Sequence, residues 1–164
     1  MVLTLAFWIH MAATVVWVGG LFFQAVILPA ASAQILSTSQ QAALLESIRR
    51  RFNPLAGLSL ALLIATGLVQ MTANDNYNDL FATNNPWGLS IFAKHVAIGM
   101  MVLLGILQTW WLQPGLARSV LLQAASPADE HSIHSLLKRN QLLTRINFLV
   151  ALLVLFLTAV ARTA

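Results

Sequence analysis

The stretch FWIHMAATVVWVGGLFF, residues 7–23, decides the fold. It belongs to an apolar run from Val2 to Leu28, longer than the roughly 20 residues a helix needs to cross a bilayer. Yet it carries an imidazole, His10, and a glycine pair, Gly19-Gly20. Ionisable groups are costly in hydrocarbon, so each one inside such a run is a candidate functional residue.

Composition agrees. Of 164 residues, 59% are hydrophobic and 9% charged, and the mean hydropathy is +0.78. A soluble domain carries about 25% charged residues. The chain reads as an integral membrane protein, all-α, a single transmembrane domain over residues 1–164 built as a polytopic four-helix bundle. With no cysteine, thiolate metal sites, iron–sulfur ligation and disulfides are excluded. The net charge of +4 is scattered and reports orientation, not nucleic-acid binding.

Three more apolar stretches are long enough to cross: about 54–73, 87–112 and 141–160. Asn53-Pro54 and Asn85-Pro86 read as helix starts, while Pro29 and Pro114 read as stops. A cleaved signal is the rival reading of the first span. It is disfavoured because the first 29 residues hold no Lys or Arg and the apolar run exceeds a usual signal core. Arg49, Arg50 and Arg51 in the first connection, with Arg118, Lys138 and Arg139 in the third, predict that these connections face the cytoplasm. The 74–86 connection carries Asp75 and Asp79 and no basic residue, so it and both termini are expected outside, with Arg162 weakly opposed. This is the N-out/C-out topology of a multi-pass protein of a bacterial inner membrane. STSQQAALLESIRRRF (37–52) and SPADEHSIHSLLKRN (126–140) suit short interfacial helices on the cytoplasmic side, the second of which can run straight into span four. His131 and His134 fall on one side of that second helix, a weak divalent-ion pattern and an ordinary solvated face.

Helix geometry puts His10 and Lys94 at about 10–14 Å from the outer ends of spans one and three, hence at one depth. His95, Gln70 and Thr158 reach the same layer. His10, Trp17 and Gln24 repeat every seven residues, as do Lys94, Met101 and Gln108, so both stripes are expected to face the interior. Ser59, Thr66 and Gln70 share a face of span two, and Asn53, Arg145 and Asn147 lie at the cytoplasmic ends of their spans. Imidazole and thioether are suitable copper ligands, which makes His10, His95, Met11 and Met71 candidate metal residues. Structural readings stand beside these. His10 can bond a neighbouring helix, Lys94 can snorkel, and methionines pack cores. Gly19-Gly20, Gly57, Gly67 and Gly105 suit close helix approach. Trp8, Trp87, Trp110 and Trp111 suit an interfacial belt. Trp17 is too deep for one.

WIHMAATVVWVGGLFF (8–23) resembles the opening helix of the CopD copper-resistance domain, where a His precedes a Trp-x-Gly-Gly pattern. RRFNPLAGLSLALLIATGLVQM (50–71) and LFATNNPWGLSIFAKHVAIGMM (80–101) resemble its next two helices, with a basic-Phe start, a late Thr-Gly, and a Lys inside the third span. The likeness covers residues 5–112 in order, with a fourth span to complete it. It implies an inner-membrane protein of copper homeostasis or transport, with a periplasmic copper protein as a possible partner. The HemJ-type protoporphyrinogen oxidase is a similar small bundle. It holds b-type haem with an essential His and Lys, whose positions His10 and Lys94 match, although its further His-rich and Arg-Leu features are not evident here. The resemblance thus leaves two occupants, copper ion or haem b, for a site of His10, Lys94, His95, Trp17 and Gln70. In the haem case a redox partner follows. A non-catalytic subunit of a larger complex, or an oligomer, is the third reading.

Overall fold

A computed structural model describes residues 1–74, 86–115, 118 and 130–163. The expectations placed on Asp75, Asp79, Asn85, Ser126-Pro127 and Asp129 lie outside them. The described residues are helical throughout, apart from short turns. α1 spans Val2–Phe22, α2 Leu28–Ala33, α3 Thr38–Thr72, α4 Pro86–Leu107 and α5 Glu130–Thr163, with π turns at Phe23–Ile27 and Gln108–Leu112. Four helical stretches are long and apolar enough to cross a membrane: Val2–Ala33, Thr38–Thr72, Trp87–Gly115 and His131–Thr163. Hydrocarbon offers no hydrogen bonds, so each stretch must satisfy its backbone internally, and a helix does so.

Pro86 opens α4 as expected, but Pro29, Pro54 and Pro114 depart from their expected roles. Pro54 does not open a helix; it lies inside α3, which starts sixteen residues earlier at Thr38. The start is fixed by a capping box, with Ser37 Oγ accepting from the Gln40 N–H and Gln40 Oε1 accepting from the Ser37 N–H. Residues 38–52 are therefore continuous with span two in one helix. Their apolar face is used within the bundle: Ala42 and Ile133 are buried together, with Leu45, Leu136 and Leu137 packed around them. The 130–140 segment likewise continues into span four. Pro29 and Pro114 do not end their spans either. Each follows a π turn by two residues, and the helix resumes beyond it. A π turn shifts the hydrogen-bond register, so a residue without an N–H is accommodated at little cost. Ala25, four residues before Pro29, is fully buried, and its carbonyl accepts from Arg145 Nε at 3.4 Å.

α1 packs antiparallel along α3, and α4 along α5, and the two pairs meet mainly through α5. Phe7 beneath Arg162, Phe22 against Phe148 and Ala25 bonded to Arg145 mark the antiparallel α1–α5 seam. Leu21, Met101 and Ala151 form the central core, with Trp17, Val18 and Phe148 against it. Trp8, Trp110 and Trp111 face outward, as a belt requires, whereas Trp87 is buried.

The glycines divide. A Cβ at Gly20 would enter the volume of the Phe52 ring, so Gly20 is the notch that admits Phe52 and closes α1 on α3. A Cβ at Gly19, Gly57 or Gly105 would meet nothing within 4 Å, so these three do not serve helix approach. Gly20→Ala is expected to lower stability by about 1–3 kcal/mol, as overpacking does. Gly19→Ala should be neutral or slightly stabilising through its better helix propensity. Thermal unfolding in detergent checks both, and Phe52→Leu added to Gly20→Ala should restore most of the loss.

Candidate functional site

The end of the bundle that carries the chain termini holds the expected polar layer in part. His10 Nδ1 lies 2.8 Å from Thr66 Oγ1, and Thr66 Oγ1 lies 2.5 Å from the Leu62 carbonyl oxygen. A carbonyl only accepts, so the single Thr66 hydroxyl hydrogen goes to Leu62. Thr66 must then accept from His10, which fixes the imidazole as the Nδ1–H tautomer. In the neutral ring Nε2 then keeps its lone pair. Gly67 flanks the ring, where a Cβ would sit 3.5 Å from His10 Cε1. One turn on, Gln70 Nε2 donates to the Ala6 carbonyl at 3.4 Å. The Lys94 ammonium is within electrostatic reach of His10, and Arg162 within reach of Lys94. The Arg162 guanidinium stacks 4.7 Å above the Phe7 ring. Among the described residues no carboxylate stands at this end.

Other candidates stand apart. His95 is exposed on the outside of α4 and donates from Nδ1 to its own helix at Ile91, 2.8 Å away. It does not face His10, because adjacent helical residues point about 100° apart and Lys94 takes the inward direction. Met11 is 60% exposed on the outer surface of α1, whereas Met71 is buried. Thr158 bonds its own backbone at Val154. Among the described residues no three His, Asp or Glu side chains gather as a metal site would require.

A second polar region lies toward the opposite end. Gln108 is buried and its Nε2 donates to Thr144 Oγ1 at 2.8 Å and the Asn140 carbonyl at 3.2 Å, clamping α4 to α5. Arg49 is 7% exposed and donates to the Gln113 amide oxygen when that amide faces it. Together with Trp17, Gln24 and Asn147 these groups border a cavity of about 320 Å³ between the two helix pairs. Both π turns border it, through Gln24 and Gln108, as π turns often do at functional sites. Trp17 is thus both a core and a cavity residue. The sequence reading missed Arg49, Asn140 and Thr144 as interior groups. For α5 a signal existed: Asn140, Thr144 and Asn147 recur at spacings of four and three, one face of a helix.

Fold and site define a multi-pass helical membrane protein with a polar seam running through its interior. Residues 46–161 match the family described as Copper resistance protein D, CopD, and the chain belongs to that family. The match takes in α3 from Glu46, α4 and most of α5; the first helix, with His10, lies outside it. No curated protein and no solved structure matches the chain.

Gln108→Leu removes the donor that joins α4 to α5 and leaves Thr144 Oγ1 without its incoming N–H, while the Asn140 carbonyl keeps the Thr144 hydroxyl at 2.9 Å. It is expected to cost about 1–2 kcal/mol, within the range for such interhelical bonds in membranes. The readout is thermal unfolding in detergent. Thr144→Val should cost less in the Gln108→Leu background than alone.

Proposed function

We propose that this protein handles copper within the membrane, with His10 Nε2 as the principal ligand and copper as cargo rather than resident cofactor. The observation that carries the reading is the fixed tautomer. Thr66 holds the Nδ1 hydrogen and leaves Nε2 free to ligate, the arrangement in which a second hydrogen bond orients a metal-binding imidazole. Membership of a copper-resistance family supports copper as the metal. Met71, buried at the same end of α3, offers a soft thioether suited to Cu(I). Lys94 adds a condition. Its ammonium and a copper ion at His10 repel each other.

The basic residues Arg49, Arg50, Arg51, Lys138 and Arg139 support a cytoplasmic side for the opposite end by the positive-inside rule, and on this reading the His10 end opens to the periplasm of a bacterial inner membrane. A periplasmic copper protein is then the natural donor. Because the chain has no cysteine, single cysteines introduced at the two ends report this orientation directly by labelling in intact cells.

Anaerobic Cu(I) titration of purified protein against a chromophoric chelator tests the site. His10→Ala should weaken binding at least tenfold. Thr66→Val should weaken it by about tenfold, the lower end for loss of an orienting partner. Lys94→Met should tighten it by about tenfold, corresponding to roughly 1–2 kcal/mol of relieved repulsion. His95→Ala should change nothing. Equal copper content in wild type and His10→Ala overturns the assignment. An absorption spectrum after haem-replete expression separates the other occupant: a Soret band lost on His10→Ala would replace copper by haem b.

A further inference from the structure

The cavity at the Arg49 end contains three unmet demands. Trp17 Nε1 is a buried donor without a partner among the described residues, and Asn147 Oδ1 is a buried acceptor in the same position. Asn147 as a whole is only 4% exposed. The third is Arg49, a buried cation that meets the neutral Gln113 amide, while the nearby Glu46 carboxylate is taken by Arg50 at 2.8 Å. All three groups border one cavity of about 320 Å³, whose remaining wall includes Leu21, Phe52, Leu60 and Ile106. The Gln108 amide hydrogens are already spent on Asn140 and Thr144, so among the described residues the fully buried side-chain atoms left without a partner at this cavity are Trp17 Nε1 and Asn147 Oδ1, with the Arg49 charge beside them. Unmatched donors, acceptors and charges are costly at membrane depth, and together they specify what would satisfy them.

We propose that this cavity binds a phosphate-type oxyanion carried on a head that also offers an N–H or O–H. The oxyanion accepts from the Arg49 guanidinium, whose planar fork suits phosphate, and from the Trp17 N–H. The N–H or O–H of the head donates to Asn147 Oδ1. The apolar wall accommodates hydrocarbon. A phospholipid headgroup and free phosphate both present this chemistry, and among phospholipids the donor requirement discriminates. Ethanolamine and glycerol heads carry a donor, whereas a choline head has none. This site lies on the far side of Trp17 from His10 and does not depend on copper binding there.

Native mass spectrometry of the full chain, stripped of lipid in detergent and then offered one probe at a time, tests the proposal. The probes are phosphatidylethanolamine, phosphatidylglycerol, phosphatidylcholine and inorganic phosphate. Wild type should retain one ethanolamine or glycerol lipid, and retain the choline lipid at least tenfold less. Arg49→Gln should lose retention of every lipid at least tenfold. Asn147→Leu should still retain lipid but lose the preference over the choline head. Because that change removes an unmatched acceptor, the empty variant should melt no lower than wild type, which shows that its fold is intact. Retention of inorganic phosphate with the same Arg49 dependence assigns the site to the free oxyanion. Absence of every adduct in wild type, or equal retention by wild type, Arg49→Gln and Asn147→Leu, overturns the proposal.

Discussion

Hydrocarbon contains no hydrogen-bond partners, so a polar group buried in this bundle must find one in the protein itself. The bundle meets that constraint two helices at a time. Within α1 and α3, His10 bonds Thr66 and Gln70 bonds the Ala6 carbonyl. Within α4 and α5, Gln108 bonds Thr144 and the Asn140 carbonyl. Close packing follows the same division, with Phe52 seated in the Gly20 notch of the first pair. Between the pairs the ties are fewer and include Arg145 on Ala25, Phe148 against Phe22, Arg162 over Phe7, and Ala42 against Ile133. A bundle closed firmly in pairs and loosely across them leaves room in the middle, and the cavity lies there.

The prolines shape that room. In a soluble helix a proline in the interior costs about 3 kcal/mol or more, so Pro29 and Pro114 read as stops. In a membrane, breaking a span exposes several backbone groups to lipid at once, which costs more than bridging one lost bond. The chain therefore continues through each proline, and a π turn just ahead of it absorbs the change of register. One consequence is a side chain turned inward: Gln24 lies in the first π turn and Gln108 in the second, and both border the cavity. Arg145 completes the arrangement by donating to the Ala25 carbonyl.

Much of the architecture was legible because hydropathy alone identifies a span. The four apolar helices and the inward direction of the stripe through His10, Trp17 and Gln24 follow from length and periodicity. What failed were inferences from local rules learned in water. Asn53-Pro54 looks like a helix start, but the capping box at Ser37 had already begun α3 and nothing at Pro54 was strong enough to stop it. His95 reaches the layer of Lys94 along the helix, but it points about 100° away from it, onto the exposed side of α4. Arg49 was the hardest to read. Three consecutive arginines invite one common fate, but only Arg49 turns inward, and that depends on which face of α3 meets Gln113.

The charges along the seam constrain any cation moving through it. Lys94 and Arg162 stand at one end and Arg49 at the other, and the described carboxylate near Arg49, Glu46, is bonded to Arg50 at 2.8 Å. A metal ion leaving His10 and following the stripe toward Trp17, about 10 Å away, would run into a buried guanidinium. At low dielectric that repulsion is large enough to bar passage. An oxyanion held on Arg49 would reverse the sign of the obstacle, turning a barrier for a cation into a second resting place. On this reasoning the two ends of the seam are linked electrostatically even though they share no residue. Occupation of the Arg49 cavity would thus set how strongly the seam opposes a cation entering it from the other end.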